Sequence, residues 1–253
     1  MLDSIIVVLF CFLLAFLFYA VIPTIIIRIY GIGITKRAAR TNGIALTFDD
    51  GPNSQYTMEL LDLLKRYRVK ASFFVVGRKV VQHPEIIERM HQEGHTIGIH
   101  HYRHISSWFL SPYHLRKELI MTENAIRSCT HTNVRFYRPP WGHFNIFTRL
   151  LSKRYKVIMW SHIFGDWKVE KCKYNLLEQL RKTAAAGRGS ILVLHDCGET
   201  IGAEEEAPQY MLKSLETFLQ ESIKQGTLFF TLDDIDFMNE GGYFEYRNNI
   251  TLH

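Results

Sequence analysis

Apolar residues form one long run at the start of the chain and then short runs between amphipathic segments. From residue 5 to residue 27 no side chain is charged, and Ile, Val, Leu and Phe dominate. A helix that crosses a bilayer needs about 20 such residues. A secretory signal has a shorter apolar core, a basic start and a small-residue cleavage site. Because the chain starts Met-Leu-Asp-Ser and the small residues of the run are isolated, we expect an uncleaved transmembrane anchor over residues 1–28.

The later runs predict strands that alternate with helices. Apolar, β-branched or aromatic runs predict strands at 43–48, 71–76, 96–99, 134–137, 156–160, 190–194 and 228–232. Helical periodicity lies at 56–67, 84–92, 112–128, 174–186 and 208–224. This alternation predicts an α/β fold with a parallel sheet and right-handed crossovers. Seven such units predict a closed or nearly closed barrel.

The same patterns divide the chain into four parts. We expect the anchor at 1–28, a basic tether at 29–42, one globular domain at 43–240 and a C-terminal tail at 241–253, to which we assign no role. A length of 253 residues suits one α/β domain with an appendage. Hydrophobic residues make up 47% and charged residues 22% of the chain, as is typical of a folded globular protein.

The net charge of +5 lies mostly at the N-terminus. Arg28, Lys36, Arg37 and Arg40 against Asp3 contribute +3 of it, which leaves +2 for the rest of the chain. A nearly neutral domain gives no support to nucleic-acid binding.

The spacing of the four cysteines predicts neither a disulfide framework nor a structural zinc site. Cys11, Cys129, Cys172 and Cys197 show no C-x-x-C spacing, which argues against both a structural zinc site and a disulfide framework. Cys197 follows His195 by two residues, and we expect it to be a buried, inert thiol.

The strongest chemical signal is the segment Thr-Phe-Asp-Asp-Gly-Pro at 47–52, followed by His100-x-x-x-His104. A catalytic divalent metal typically takes three protein ligands and leaves one position open. One Asp and two His supply three ligands, and the second Asp is then free to act as a general base on water. Two His at i and i+4 share one face of a helical turn and can reach one ion. There are two alternative interpretations: the Asp-Gly-Pro segment is an ordinary turn, and the His pair belongs to a solvated surface. The motifs described next disfavour both.

Unusual polar residues recur where predicted strands end. In chain order, with Asp166 separated from its strand by a short loop, they are Asp49 and Asp50, His100, Arg138, Asp166 and His195. Catalytic residues of a β/α barrel gather at the carboxyl ends of its strands. We therefore expect these side chains on one rim of the sheet.

Two further segments add candidate groups. In Arg138-Pro139-Pro140-Trp141-Gly142, the prolines fix the backbone and Gly142 permits close approach. Such a loop can present a backbone N–H to an oxyanion, and Arg138 can hold a carboxylate; a structural turn with a packed Trp is the alternative. Asp166 and Trp167 offer a carboxylate beside an apolar wall. A lone His at the end of a buried strand is more often structural, but opposite a metal His195 is a candidate general acid.

In this order, over residues 43–234, the motifs resemble the polysaccharide deacetylase family with the NodB-homology domain, carbohydrate esterase family 4. The resemblance implies a distorted (β/α)7 barrel that removes acetyl groups from N-acetylated sugars with one divalent ion, Zn or alternatively Co or Ni. It implies that Asp49 is the base, that Asp50, His100 and His104 hold the metal, and that Arg138 orients Asp49. It also implies that the Trp141 N–H meets the oxyanion, that His195 is the acid tuned by Asp166, and that Trp167 and Leu194 line the acetyl pocket.

The chain departs from the family pattern at two positions. His101 stands where the family usually has Ser or Thr after its first metal His, so the imidazole either braces the loop differently or competes as a ligand. Trp141 stands where Tyr is frequent, a harmless change if only its N–H is used.

These features predict a membrane-anchored N-deacetylase that acts on a cell-surface glycan, with N-acetylglucosamine or N-acetylmuramic acid of peptidoglycan as the substrate. An O-deacetylase stays open, because ester and amide share the tetrahedral path. An inactive glycan-binding or assembly protein is disfavoured, because a binder needs no set of two Asp and three His. A non-haem iron site of two His and one carboxylate leaves Asp49 and His195 unused.

The substrate class also decides the predicted orientation. We expect a single-pass protein of the cell membrane with its catalytic domain outside the cell. The basic residues after the span favour the opposite orientation, because positive residues normally stay inside, but large domains can translocate despite that bias.

Overall fold

The computed structural model describes residues 1–39 and 41–239; Arg40 of the predicted tether and the predicted tail at 241–253 lie outside it. Its strands form one parallel sheet in the order β1-β6-β5-β4-β3-β2-β8-β7. The strands are β1 (Ile34–Thr35), β2 (Ile44–Asp49), β3 (Ser72–Val75), β4 (Thr96–Ile99), β5 (Phe136–Tyr137), β6 (Lys156–Ile158), β7 (His162–Ile163) and β8 (Ser190–His195).

Helices follow most strands. They are α1 (Leu2–Phe16), α2 (Ile22–Tyr30), α3 (Tyr56–Arg66), α4 (Gly77–Gln82), α5 (Pro84–Gln92), α6 (Pro112–Thr130), α7 (Thr148–Leu151), α8 (Val169–Lys171), α9 (Leu177–Ala186), α10 (Ala207–Lys224) and α11 (Leu232–Asn239). A π-helical turn, Leu17–Val21, joins α1 to α2, and another, Cys172–Leu176, joins α8 to α9. Short 3₁₀ turns lie at Ser107–Phe109 and Pro140–Gly142.

The longest helix of the domain, α6, shows how local sequence sets the element bounds. Ser111 precedes it and accepts a hydrogen bond from the His114 N–H, and Pro112 occupies the first helical position, where a missing N–H costs nothing. The helix ends at His131, which adopts a left-handed conformation with φ 55°. Its buried face, which includes Leu115, Leu119 and Ile126, packs toward the core.

The centre of the sheet consists of β2 between β3 and β8, and every residue of β2 is buried. Parallel strands covered on both faces are nearly continuous in apolar residues, which is why these runs were visible in the sequence. The register pairs Asp49 of β2 with His195 of β8. Two chemically important residues thus stand side by side at the carboxyl edge.

The α/β class is as predicted, with three differences in detail. The sheet curls with β1 and β7 as its edges and does not close among the described residues. The predicted strand at 228–232 contributes a single bridge, from Phe229 to Ile44, and Leu232 already begins α11. The short strands β1 and β7 were not predicted, because two residues are too few to show a period.

Part of the predicted basic tether belongs to the sheet. Ile34 and Thr35 pair with β6, and the Ala38 N–H donates to the Gly189 carbonyl. This stretch is therefore an ordered edge strand and not a free linker. The domain boundaries themselves stay a prediction.

The N-terminal helix, Leu2–Tyr30, is the one helix in the described residues that is long and apolar enough to cross a membrane, with a mean hydropathy of 3.2 over its best window. α1 has no buried residue. The turns after it pack against the domain, with Ala20, Thr24 and Ile27 buried. Length and composition alone do not distinguish an anchor from a signal sequence. The buried side chains of Ala20, Thr24 and Ile27 are a separate observation, because they make this part of the helix a component of the folded domain.

Two hydroxyl groups fix the helix to the domain. Thr24 Oγ1 accepts hydrogen bonds from Trp108 Nε1 at 2.8 Å and from the Phe144 N–H at 2.9 Å. The Tyr19 hydroxyl donates to the Leu110 carbonyl at 2.6 Å. The second half of the apolar run is therefore part of the domain's packing.

Candidate active site

The carboxyl ends of the central strands surround a cavity of about 340 Å³. Seven residues predicted for the site line it: Asp49, Asp50, His100, His104, Trp141, Trp167 and His195. Arg138 and Asp166 lie behind this lining and bond to residues in it. The expected gathering of distant residues on one rim is what the structure has.

Asp50, His100 and His104 offer one ligand atom each, and these atoms lie within 4.8 Å of one another. Asp50 Oδ1 is 3.3 Å from His100 Nε2 and 2.9 Å from His104 Nε2. Burial raises the pKa of Asp50, but the charge of His104 and the hydrogen bonds from both imidazoles outweigh it and hold the pKa well below its usual value. The three residues form a candidate metal site.

The two histidines were expected on a helical turn, and this detail is wrong. Residues 100–104 form a loop after β4, in which His101 (φ 61°) and His104 (φ 57°) are left-handed. Two left-handed residues among these five are incompatible with a right-handed helix. The loop, rather than helical spacing, brings the rings of His100 and His104 together, with centroids 5.0 Å apart.

Asp49 is held by a fully buried arginine. Arg138 Nη1 donates to Asp49 Oδ1 at 2.6 Å and to Thr47 Oγ1 at 2.8 Å. Arg138 Nε and Nη2 donate to the carbonyls of Ile158 and Met159, each at 3.2 Å. One oxygen of Asp49 is thus fixed, and the carboxylate still lines the cavity.

His195 is held by Asp166 on the opposite side. The two oxygens of Asp166 accept from the His195 N–H at 2.6 Å and from His195 Nδ1 at 3.0 Å. Burial alone lowers the pKa of His195, but the charge and hydrogen bond of Asp166 outweigh it and raise the pKa to about 10. The imidazole is therefore protonated at neutral pH, which suits a proton donor.

His101 points away from the candidate metal site. Its Nδ1 donates to the Ile105 carbonyl and its Nε2 accepts from the Tyr137 hydroxyl, both at 2.7 Å. Burial lowers its pKa to about 3, although the hydrogen bond to Ile105 raises it. With both ring nitrogens engaged, this imidazole braces the loop and is not a competing ligand.

Of the two residues predicted to line the acetyl pocket, one lines the cavity and the other does not. Trp167 lines the cavity with its ring edge-on to that of His195, at 5.3 Å between centroids. The prediction that Leu194 lines the pocket beside Trp167 is wrong. Leu194 is fully buried in the hydrophobic core, and Val193 lines the cavity instead. Side chains alternate across a strand, so Val193 shares the face of His195 and Leu194 takes the other.

Trp141 lies at the rim, half-exposed, with its ring 4.4 Å from that of His104. Its backbone is left-handed, with φ 55°, and Gly142 after it has φ 65°. Positive φ at a tryptophan is strained, and strain of this kind concentrates at functional sites.

Sequence reasoning missed several residues of the cavity. Thr200 Oγ1 donates to Asp50 Oδ2 at 2.7 Å and so orients the carboxylate of the candidate metal site. Trp160 and Ile163 add apolar wall, and Arg28 reaches the cavity from the N-terminal helix. Thr200 stands in the loop after His195, where a search of strand-end loops could have found it. Arg28 gave no signal beyond a charge that ends the apolar run.

Comparisons with known proteins agree with this geometry. The family model described as polysaccharide deacetylase matches residues 36–160. The chain is 34% identical over 200 residues to the peptidoglycan-N-acetylglucosamine deacetylase PgdA of Listeria monocytogenes. The alignment covers 78% of this chain and 40% of the Listeria protein. It is 32% identical over 200 residues to the peptidoglycan-N-acetylmuramic acid deacetylase PdaA of Bacillus subtilis. That alignment covers 78% of this chain and 72% of the Bacillus protein. The chain therefore spans less than half the length of the Listeria relative.

A solved structure gives the same fold. The crystal structure of the Bc1960 peptidoglycan N-acetylglucosamine deacetylase superposes with a TM-score of 0.70 at 26% identity, over 83% of this chain and 95% of that one. The predicted distorted (β/α)7 barrel is confirmed.

The position of His101 generates a prediction about stability. We expect His101→Ala to lower the free energy of unfolding by about 2–4 kcal/mol, because it opens a cavity and removes two buried hydrogen bonds. Urea unfolding of the detergent-solubilised chain, followed by tryptophan fluorescence, measures this. His91→Ala, at an exposed position, is the control and should change stability by less than about 0.5 kcal/mol. Equal stability of the two variants would contradict the bracing role.

Proposed function

Because the chain belongs to the polysaccharide deacetylase family, we propose that it is a metal-dependent hydrolase that removes N-acetyl groups from a cell-surface polysaccharide. As substrate we propose the N-acetylglucosamine or N-acetylmuramic acid residues of peptidoglycan, since the relatives named above are peptidoglycan deacetylases of both kinds. One observation carries the proposal. Asp49 with Arg138 and His195 with Asp166 flank the same cavity as the cluster of Asp50, His100 and His104.

The donor set fits a divalent cation such as zinc. Tetrahedral zinc with bonds of about 2.0–2.1 Å keeps its ligand atoms about 3.3 Å apart, close to the 3.3 and 2.9 Å from Asp50 to the two imidazoles. His100 Nδ1 donates to the Arg138 carbonyl at 2.8 Å, so Nε2, 3.3 Å from Asp50 Oδ1, is the ring nitrogen that would lose its proton and hold the ion. A bound divalent ion would lower the pKa of water and polarise the acetyl carbonyl.

Asp49 is the proposed general base. It lines the cavity next to Asp50, and its contact with Arg138 leaves an oxygen free to accept the proton of the attacking water. Arg138 acts as a positioning residue, because four hydrogen bonds hold its guanidinium in one place.

His195 is the proposed general acid. An amine leaves poorly unless its nitrogen is protonated, so amide cleavage needs a donor at the departing nitrogen. Asp166 engages Nδ1, so Nε2 is the nitrogen that can give its proton to the leaving group. The pKa of about 10 keeps that proton in place until it is needed.

The remaining walls would bind the acetyl group. We assign the backbone N–H of Trp141 to the developing oxyanion, a contact worth about 3–4 kcal/mol in other hydrolases. Trp167 and Val193 form the apolar wall beside His195.

We further propose a single-pass protein of the cell membrane with the catalytic domain outside the cell, next to the cell wall. The contacts of Tyr19 and Thr24 with the domain support an uncleaved helix, because cleavage of a signal would remove packing that the domain uses. The proposed substrate supports the outside location.

The first prediction from this proposed function concerns the metal. The purified chain should contain about one divalent ion, and His100→Ala with His104→Ala should lose it, because two of three ligands are gone. Elemental analysis by mass spectrometry measures the content. His91→Ala with His114→Ala, two exposed histidines, is the matched control. Unchanged metal in the His100/His104 variant would refute the site.

The second prediction tests the reaction itself. With zinc or cobalt present, the chain should release acetate from a panel of N-acetylated glycans that includes peptidoglycan fragments. Asp49→Asn and His195→Ala should each lower the rate by about 10²–10⁴-fold while the metal stays bound, because each removes a proton-transfer group. Acetate release and metal content are measured on the same samples.

Asp62→Asn, on the solvent side of α3, serves as the control for that experiment and should keep full activity. Near-normal turnover in either active-site variant would show that its assigned role is mistaken. Absence of acetate from every glycan in the panel would count against the whole proposal.

The third prediction concerns orientation. Protease added to intact protoplasts should digest the domain, because an outside domain is accessible without lysis. Immunoblotting against the domain follows the digestion, with a cytoplasmic protein as the control for leakage. Protection that disappears only after lysis would reverse the assigned orientation.

A further inference from the structure

A second cavity, of about 380 Å³, lies beside the active-site cavity and carries positive charge. Arg28, Lys36 and Arg37 line it together with Ile29, Met159, Trp160 and Ser161, and no carboxylate belongs to this lining in the described part of the chain. Arg28 and Trp160 line both cavities. A group bound by these cations would therefore lie next to the proposed acetyl site.

The three cations are held by neutral groups. Arg37 Nη1 donates to Ser190 Oγ at 3.0 Å, Lys36 Nζ donates to the Arg28 carbonyl, and the Arg28 guanidinium lies 5.5 Å from the centre of the Trp160 ring. Within residues 1–39 and 41–239, none of the three forms a salt bridge. Some surface cations elsewhere, such as Arg66 with Glu216, do pair with a carboxylate. The positive charge of this cavity is thus uncompensated and available to a ligand.

The position of Arg28 is set by the docked helix. Thr24 lies one turn earlier on the same side and is tied to Trp108 and Phe144, while Ile27 is buried. Arg28 stands in the last turn of α2. Lys36 and Arg37 follow within the segment that β1 attaches to the sheet. The charges are therefore presented by fixed backbone and not by a mobile linker.

We propose that Arg28, Lys36 and Arg37 form an anion-binding subsite that takes a phosphate or carboxylate carried by the glycan next to the acetylated sugar. Arginine donors match such oxyanions in forked geometry, and charge-assisted hydrogen bonds are the strong class. The proposal rests on the proposed deacetylase function and adds a substrate class to it. Because the subsite begins at the end of the apolar helix, two sources fit: the phosphate that links a glycan to a membrane lipid, and an acidic group within the polymer.

The experiment compares matched substrates with the full-length chain in detergent and zinc. A neutral N-acetylglucosamine oligosaccharide is assayed beside the same oligosaccharide with a reducing-end phosphate and with a carboxylate-bearing sugar. We expect kcat/KM for an anionic substrate to exceed that for the neutral one by about 10- to 100-fold, mostly through KM. The gain should shrink as salt is raised, because exposed charges are screened. Preference for the phosphate identifies the lipid-linked source, and preference for the carboxylate identifies the acidic polymer.

Lys36→Gln and Arg37→Gln, which change residues that line the second cavity alone, should each reduce that preference about tenfold or more, while the rate on the neutral oligosaccharide changes less than about twofold. Arg127→Gln, which removes an exposed arginine on α6, is the matched control and should keep the preference. Equal kcat/KM for neutral and anionic substrates, or a preference that survives both variants, would overturn the subsite.

Calorimetry separates this inference from the proposed function. Binding of the phosphorylated oligosaccharide to Asp49→Asn should weaken about tenfold or more when Arg28→Gln is added, whether or not turnover occurs. If no glycan yields acetate but this binding still depends on Arg28, the deacetylase function fails and the subsite stands. If acetate is released but binding is indifferent to Arg28 and Arg37, the subsite fails alone.

Discussion

The buried ion pair of Arg138 and Asp49 is the contact on which the arrangement of the site depends. Arg138 is fully buried, and its hydrogen bonds reach β2 on one side and the end of β6 on the other. Removing a guanidinium from water costs several kcal/mol, and the group is tolerated because four of its five N–H donors form hydrogen bonds. Loss of either charge would leave the other buried and alone, at about 3–5 kcal/mol. The pair therefore links the position of Asp49, the proposed general base, to the closeness of the strands that carry the rest of the site.

Around the candidate metal site, too, energetically costly features are held in place by contacts with their neighbours. Asp50, His104 and Trp141 all have positive φ, a conformation that costs about 1–3 kcal/mol at a strained residue. Neighbours over-determine each of them: Thr200 holds the second oxygen of Asp50, and the ring of Trp141 lies against His104. His101 shows how a substitution is absorbed, since its ring spans from Ile105 to Tyr137 and stabilises the loop from behind.

How much was predictable follows from what a linear pattern records. Buried parallel strands are visible as apolar runs, so β2, β4 and β8 and the polar residues at their ends were found from sequence. The face of a strand on which a side chain lies is harder to predict, because a shift of one residue reverses it. Leu194, which the family resemblance implied for the pocket, lies on the core face, and Val193 lines the cavity. A run such as 228–232 looks like a strand, yet Leu232 begins a helix. Packing of an apolar helix on a domain leaves no mark in composition, so the place of Arg28 at the cavity could not be anticipated.

On the proposed membrane placement, the docked N-terminal helix also determines how far from the membrane the protein can work. The 15 residues of α1 span about 22 Å, less than the roughly 30 Å of a hydrocarbon core. In that placement the packed turns that follow would meet the lipid boundary, and the domain would lie next to it. A flexible linker over 29–42 would have let the domain roam by about 20 Å. On the proposed function, glycan that lies next to the membrane is within reach of the site, and glycan farther out is not. The anchor would then decide which layer of the glycan is modified, independently of how well the active site binds each sugar.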